Sequence, residues 1–326
     1  MRKIYGIVVV AVVAVIAFWS GIAMTQERKI PGMGKIPAFG TDKIPSYFEM
    51  DEYNHRYPET DTDFQLYMNE WTDSHVTVGH GGFIERAYFV PGDPTNPPRK
   101  AHVLKYMKAY NHGILEAGCQ TEPTMHENEQ VFFFVVSGKG KVEAGGQTAE
   151  ISDGTGVFMP ARLTYTFTNT CPVNPMHCII VVEEIPDDFE PLTEMKVGTY
   201  KDKKPSAGMH WAHIGHGIVS GTKFYNPVGF AVVSMQPMDA AQPHMHGPGV
   251  EEIWCQIKGE SLLIFGNRLY KMPAGMAFYA VPNYAVPHCS INPGDKPVYW
   301  LYMGNRHDRG LGYRQMKDFH KGWNWE

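Results

Sequence analysis

The stretch Gln242-Pro243-His244-Met245-His246-Gly247-Pro248-Gly249-Val250-Glu251-Glu252-Ile253-Trp254-Cys255-Gln256-Ile257-Lys258-Gly259 carries most of the legible chemistry of this 326-residue chain. His244 and His246 are two apart, so on a strand they point to one face. Glu252 lies seven residues before Gly259, where an extended run must turn. Far downstream, His288 opens His-Cys-Ser-Ile-Asn-Pro-Gly-Asp, which ends in a Pro293-Gly294 turn. Three imidazoles and a carboxylate are a standard ligand set for one divalent transition metal ion. A lone His-x-His is weak evidence. Four ligand types, each in strand or turn context, are stronger.

The pattern resembles the two sequence motifs of the cupin superfamily. The first family motif is His-x-His, a short gap, Glu, six residues and Gly. Here the gap from His246 to Glu252 is lengthened by Gly247-Pro248-Gly249, and the six residues before Gly259 fit. The second motif runs Gly, Pro, His, three residues, Asn, and Gly275, Pro282, His288 and Asn292 follow that order with a lengthened Pro-to-His interval. The resemblance implies a small antiparallel barrel with a metal inside, held by His244, His246, Glu252 and His288. Glu251 competes for the carboxylate role. Neighbours on a strand face opposite sides, and the spacing to Gly259 favours Glu252, so Glu251→Gln is expected to do little.

A second, damaged copy of the pattern lies upstream, in residues 117–169. It passes Thr124 and His126, a strand over Gln130–Val136, the turn at Gly138, then Gly154, Pro160, Tyr165 and Asn169. Thr124 stands where the first His belongs and Tyr165 where the last belongs. His126 stays in register, with Glu129 or Gln130 near the carboxylate position. One imidazole and one uncertain carboxylate make a poor site, so this copy reads as a barrel without metal. A further echo, Val78-Gly79-His80-Gly81 against Ile214-Gly215-His216-Gly217, places His80 and His216 at matching points. His210, His213 and His216 then read as turn residues, not a second cluster. The repeat gives two units of domain size.

The expected fold is all-β: two tandem cupin barrels of the jelly-roll (double-stranded β-helix) type after an N-terminal signal or anchor. The expected boundaries are 1–24 for that segment, 25–77 for an extension, 78–200 for barrel 1 with its degenerate site, and 201–326 for barrel 2. The 33 Gly and 24 Pro punctuate short apolar runs, as strands and turns require. The runs Val131–Val136, Phe230–Met235, Ile253–Ile257, Ser261–Phe265 and Val298–Met303 read as strands. Met1-Arg2-Lys3, the apolar Ile4–Trp19 and the small-residue Ser20–Ala23 follow the order of a secretory signal, with cleavage after Ala23 or retention as an anchor. Both outcomes put the barrels outside the cytoplasm, in the periplasm or the extracellular space, with the membrane touched only through residues 4–24. The extension reads as a linker and an arm packed on the first barrel, with one short helix at Asp61–Trp71. Export permits a Cys171–Cys178 disulfide.

A net charge of −5 gives no footprint for nucleic acid, and no nucleotide-binding or nucleophile-elbow motif stands out. The partner expected is a small molecule; oligomeric state is not legible. Trp254 and Gln256 are in phase with Glu252 and are expected to line the pocket, whereas Cys255 and Cys289 are out of phase with the ligands. The donor set suits Fe, Mn, Ni, Cu or Zn, and outside the cytoplasm the Irving–Williams order favours Cu and Zn. Two-barrel cupins resemble oxidoreductases such as quercetin dioxygenases and oxalate decarboxylases, and the superfamily also contains sugar isomerases, lyases and non-catalytic binders. The resulting expectation is an exported, dioxygenase-like oxidoreductase for a small phenolic or carboxylic compound. The alternatives are a metal-dependent binding module or a redox-neutral isomerase or lyase. No general base is legible.

Overall fold

Runs such as Val131–Val136 and Ile253–Ile257 are apolar on both faces, which suits strands packed on two sides. Each lies within a nine-residue strand, Glu129–Ser137 and Val250–Lys258. A computed structural model describes residues 63–247, 249–282 and 286–306. The expected leader and most of the expected extension lie outside them. Among the described residues no helix is long and apolar enough to cross a membrane.

All the expected strand runs are strands, and they form two copies of one unit. In barrel 1 a large sheet runs in the order 196–199, 155–159, 129–137, 176–184, 109–115, 83–91, 76–79, and a three-stranded sheet runs 165–169, 139–144, 147–152. In barrel 2 the large sheet runs 68–70, 276–280, 250–258, 298–306, 228–235, 213–217, 206–209, and the small one 268–272, 261–265, 288–291. Gly138 and Gly259 turn the central strands at the same point of each barrel, with φ of 105° and 77°. A Cβ there would come within 2.9 Å of Met176 or Val298, so glycine is required twice over.

The edge strands are exchanged between the barrels. Lys196–Thr199, which leads into barrel 2, pairs with Thr155–Met159 of barrel 1. Met68–Glu70, which leads into barrel 1, pairs with Met276–Ala280 of barrel 2. The described part of the expected helix at Asp61–Trp71 is not an α-helix: a strand flanked by the 3-10 turns Phe64–Tyr67 and Trp71–Asp73 stands there, and Asp61 and Thr62 lie outside the described residues. The arm extends the sheet of the second barrel, where Phe64 packs on Phe265 at 4.8 Å and Tyr67 on Tyr279 at 6.4 Å. It also packs on the first barrel, as expected: the Asn69 amide donates to the carbonyls of Ala87 and Tyr88, and Arg86 donates to those of Thr72 and Ser74. Pairing also covers an edge that would otherwise be exposed.

Two buried carboxylates clasp the barrels together. Glu251 accepts the backbone N–H groups of Lys105, Tyr106 and Met107, from barrel 1, and the Tyr279 hydroxyl. Glu183 accepts the N–H groups of Tyr225 and Asn226, from the approach to barrel 2, together with the Asn226 and Gln130 amides. Burial raises the pKa of both, Glu251 to about 7, against the lowering effect of these donors. Glu251 thus faces away from the ligands, as expected, and into the seam between the barrels, a structural role that alternation along its strand does not reveal.

The motif asparagines are clamps as well. The Asn169 amide donates to the carbonyls of Leu115, Glu116 and Asn174, and the Asn292 amide to those of Met235, Gln236 and Lys296. Each is buried. Asn169→Ala and Asn292→Ala should each cost about 2 kcal/mol, because carbonyls are stranded in the interior. Chemical denaturation checks this, and a loss under about 0.5 kcal/mol would leave the clamp without energetic weight.

All five cysteines are free. The disulfide that export would permit between Cys171 and Cys178 is not formed. Cys178 is wholly buried and packs in the barrel 1 core with Ile180 and Val182, while Cys171 lies near the surface.

Candidate metal centre

His244 and His288 sit on facing segments joined by two backbone hydrogen bonds, His244 N to His288 O at 3.0 Å and the reverse at 2.9 Å. Their rings are 4.3 Å apart, and His246 completes the triangle at 5.1 Å from His244 and 5.0 Å from His288. The long gap before Glu252 is taken up by Gly249, whose φ of 72° turns the chain into the strand that starts at Val250. Strand alternation then sends Glu252 inward. Its Oε1 lies 3.1 Å from His246 Nε2 and 3.6 Å from His288 Nε2, and accepts the Trp254 indole N–H at 2.8 Å. One donor atom from each of the four residues lies within 4.8 Å of all the others.

The electrostatics suit a cation. Burial, then the neighbouring His288, lowers His244 to about 2, and burial lowers His288. Both imidazoles are therefore neutral, as a metal ligand must be. Burial alone would raise Glu252, but His246 and His288 beside it outweigh that and hold its carboxyl well below the usual range. His244 Nδ1 is paired with the Gln242 carbonyl at 3.0 Å, which fixes the ring and leaves Nε2 with its lone pair. The Nε2 atoms of His244, His246 and His288 are all buried, and none has a hydrogen-bond partner. Three such nitrogens around one carboxylate are costly by themselves and are satisfied by one divalent ion. These residues fit a transition metal ion.

Behind the ligands stands an aromatic wall. His210 stacks on His244 at 3.7 Å, and Trp254 and Phe278 meet His288 at 5.4 and 5.5 Å. Trp254 thus lines the centre as expected. Gln256 is engaged elsewhere, with Lys258 and Ser261 by the Gly259 turn. Gly304 lies directly across from Glu252, and Tyr302 across from Trp254, so both share the ligand face. Gly229, Ala231 and Gly217 continue that face on the next two strands. Tyr302 fills the space over Gly304, whereas Gly217 and Gly229 face open space further along the same face.

In barrel 1 the register assigns each counterpart. Thr124 and Tyr165 are joined by the same bridge as His244 and His288. Val131 occupies the carboxylate position, for it lies seven residues before Gly138 and pairs with Met159 and Val182 as Glu252 pairs with Ala280 and Gly304. The expectation of Glu129 or Gln130 there is corrected. Counting back from the turn glycine finds the position, whereas counting forward from the histidines fails because the two loops differ in length. Glu129 instead meets Lys108 and, at 3.4 Å, His126 Nδ1, while His126 Nε2 lies 3.3 Å from the Tyr165 hydroxyl. Unforeseen is the buried Glu85, which binds His80 Nδ1 at 2.5 Å and the Asn111 amide at 2.8 Å. The counterpart of His80 is also corrected. Both His80 and His210 open hairpin turns, with φ of 45° and 47°, whereas His216 lies on a strand and pairs with the Ser234 hydroxyl. His210, His213 and His216 form no joint cluster: His213 binds Ser290 at 2.9 Å.

Comparison with known proteins adds the following. The family model described as a cupin domain matches residues 111–182 and 231–304, once in each barrel. No curated protein sequence matches the chain. Among solved structures, the chain resembles the oxalate decarboxylase of Bacillus subtilis, studied for its Mn(II) centres, with 15% identity and a TM-score of 0.55 over 74% of this chain and 78% of that one. It also resembles a formate complex of the Lactobacillus farciminis oxalate decarboxylase, with 16% identity and a TM-score of 0.54 over 74% and 86%. AerE from Microcystis aeruginosa shares 13% identity, with a TM-score of 0.53 over 74% and 99%. The chain thus carries two cupin domains, one in each barrel, and shares its two-barrel fold with these structures.

Proposed function

We propose that this protein is an exported metalloenzyme whose second barrel carries out oxygen-dependent, dioxygenase-like chemistry on a small carboxylic or phenolic compound. The observation that carries the reading is the donor set: three imidazoles and one carboxylate from a single barrel, on a face that is open further along at Gly217 and Gly229. A bound divalent ion with positions left for exogenous ligands supplies Lewis acidity and, for a redox-active ion, electron transfer. The protein's own part is to bind and to orient. Trp254 holds Glu252 by its Oε1. Gln242 fixes the His244 ring, and the stack of His210 on His244 confines it further. Trp254, Phe278 and the buried Val286 keep the inner wall apolar, and Tyr302 offers a hydroxyl on the ligand face. Glu252 is the one carboxylate among the described residues whose charge acts on His213, His244 and His288.

A redox-neutral decarboxylation is the second reading, favoured by the fold shared with oxalate decarboxylases. Oxygen uptake and CO2 release, followed together over a panel of small carboxylic and phenolic acids with Fe, Mn, Ni, Cu and Zn forms, separate the two. Uptake that disappears in His246→Ala supports the first reading; CO2 release without uptake replaces it with the second. Metal-dependent ligand binding with neither signal would make the protein a binding module. Export rests on the order of the first 23 residues. N-terminal sequencing of the protein from the periplasm or medium should start at Met24, and protein found only in the cytoplasm would remove this part of the proposal.

A further inference from the structure

Tyr302 and Gly304 set barrel 2 apart on the ligand face. Gly304 pairs with Glu252, and Tyr302 with Trp254. Side chains directly across from each other stand about 5 Å apart, Cβ to Cβ. The place beside Glu252 that a side chain at position 304 would take holds the Tyr302 hydroxyl instead, and a Cβ there would overlap that oxygen. The ring fits only because residue 304 is glycine. Beyond it the face opens. Gly229 pairs with Gly304, Ala231 with Tyr302, and Gly217 lies one strand further. A Cβ on Gly229 or Gly217 would meet nothing within 4 Å. The duplication does not account for this arrangement. By register, barrel 1 has Ile180, Val182 and Ala109 where barrel 2 has Tyr302, Gly304 and Gly229. The barrel without the ligand set thus has an aliphatic wall where the barrel with it has a hydroxyl beside open space.

We propose that Tyr302 selects and orients the substrate of barrel 2, its hydroxyl donating to an anionic oxygen on an aromatic ring whose body lies along Gly229, Ala231 and Gly217. This inference rests on the reading of barrel 2 as a metal-dependent site. A phenolic hydroxyl has one hydrogen to donate and further lone pairs to accept with, so it can serve a ligand while it accepts other bonds. An anionic oxygen is the partner it binds most strongly, because hydrogen bonds to ionised groups are roughly twice as strong as neutral ones. The strip beyond it has two glycines and an alanine, which leaves a flat floor that suits a planar ring. Tyr302 stands between that floor and Glu252, so a molecule on the floor meets the hydroxyl on its way to the ligand cluster. The anionic oxygen has two sources, a carboxylate or a phenolate, and the probes below separate them.

The test is ligand binding by the full chain loaded with Co(II), an ion that suits imidazole and carboxylate donors, read from the visible absorption of the cobalt. Benzoate, phenol and the neutral benzyl alcohol are the probes. The unaltered protein should bind benzoate or phenol more tightly than benzyl alcohol. Tighter benzoate assigns the site to a carboxylate, and tighter phenol to a phenolate. Tyr302→Phe keeps the ring and should retain one equivalent of Co(II). It should weaken the preferred probe by about 10-fold or more, and benzyl alcohol by less. Tyr302→Ile, which copies barrel 1, should have the same effect. Unchanged affinities in Tyr302→Phe with cobalt in place would overturn this inference alone. So would equal affinity of the unaltered protein for all three probes, or loss of cobalt in Tyr302→Phe, which would make Tyr302 a support of the centre. No cobalt in the unaltered protein would take down the metal-dependent reading as well. Oxygen uptake and CO2 release play no part in the measurement, so it stands whichever reaction the barrel performs.

Discussion

Glu252→Gln is expected to empty the metal centre. Glu252 is the one anion among four donors, is almost wholly buried, and has two imidazole nitrogens within 3.6 Å of a single oxygen. Replacing it with an amide leaves three neutral nitrogens and no charge to balance a divalent ion. Loss of a partner behind a ligand costs about 10–100-fold in affinity, so loss of the ligand itself should cost more than about 100-fold. Trp254→Phe provides the comparison. It removes the 2.8 Å indole contact to Glu252 Oε1 but no ligand, and should weaken Mn(II) by about 10–100-fold. Dialysis against a graded chelator measures both. Equal retention in Glu252→Gln and the unaltered protein would mean that the carboxylate is not a ligand. Metal loss in Glu251→Gln alone would mean that the register is shifted by one residue.

Glu251→Gln and Glu183→Gln should each leave the metal in place and weaken the fold. Each carboxylate uses both oxygens to accept four donors, three of which come from the other barrel. An amide keeps one acceptor and turns an N–H group towards buried N–H donors. The expected cost is about 3 kcal/mol, from buried donors left without partners. For a chain of this size that lowers the melting temperature by roughly 4–6 °C. The measurement is thermal unfolding of the Mn(II)-loaded protein, with metal content assayed in parallel. A shift under about 2 °C would show that solvent reaches these donors and that the clasp holds little.

Much of the centre could be read directly. His244, His246, Glu252 and His288 are chemically distinctive, and period-two alternation with a turn glycine to count from places three of them on one face without tertiary information. The apolar runs and Gly/Pro punctuation led to an all-β chain for the same local reason. Barrel 1 was harder. Thr124 and Tyr165 were found because the second motif keeps its spacing. Val131 was missed because a valine carries no chemical signal and the preceding loop has a different length.

What lies outside local pattern was decided by tertiary structure. Glu251 and Glu252 differ in sequence by one place, and alternation alone says only that they face opposite ways. That one way leads to a metal site and the other into a seam against Lys105, Tyr106 and Met107 depends on where the other barrel lies. The same holds for Met68–Glu70, whose sheet partner more than 200 residues away is set by an open strand edge and by the burial of Phe64 and Tyr67. His112 and His177 lie on neighbouring strands as diagonal neighbours on one face, and their nitrogens meet at 2.9 Å. Periodicity along one strand determined which side chains share a face. Which face meets which was determined by packing between segments distant in the chain, and by the donors and acceptors that packing forces to find partners.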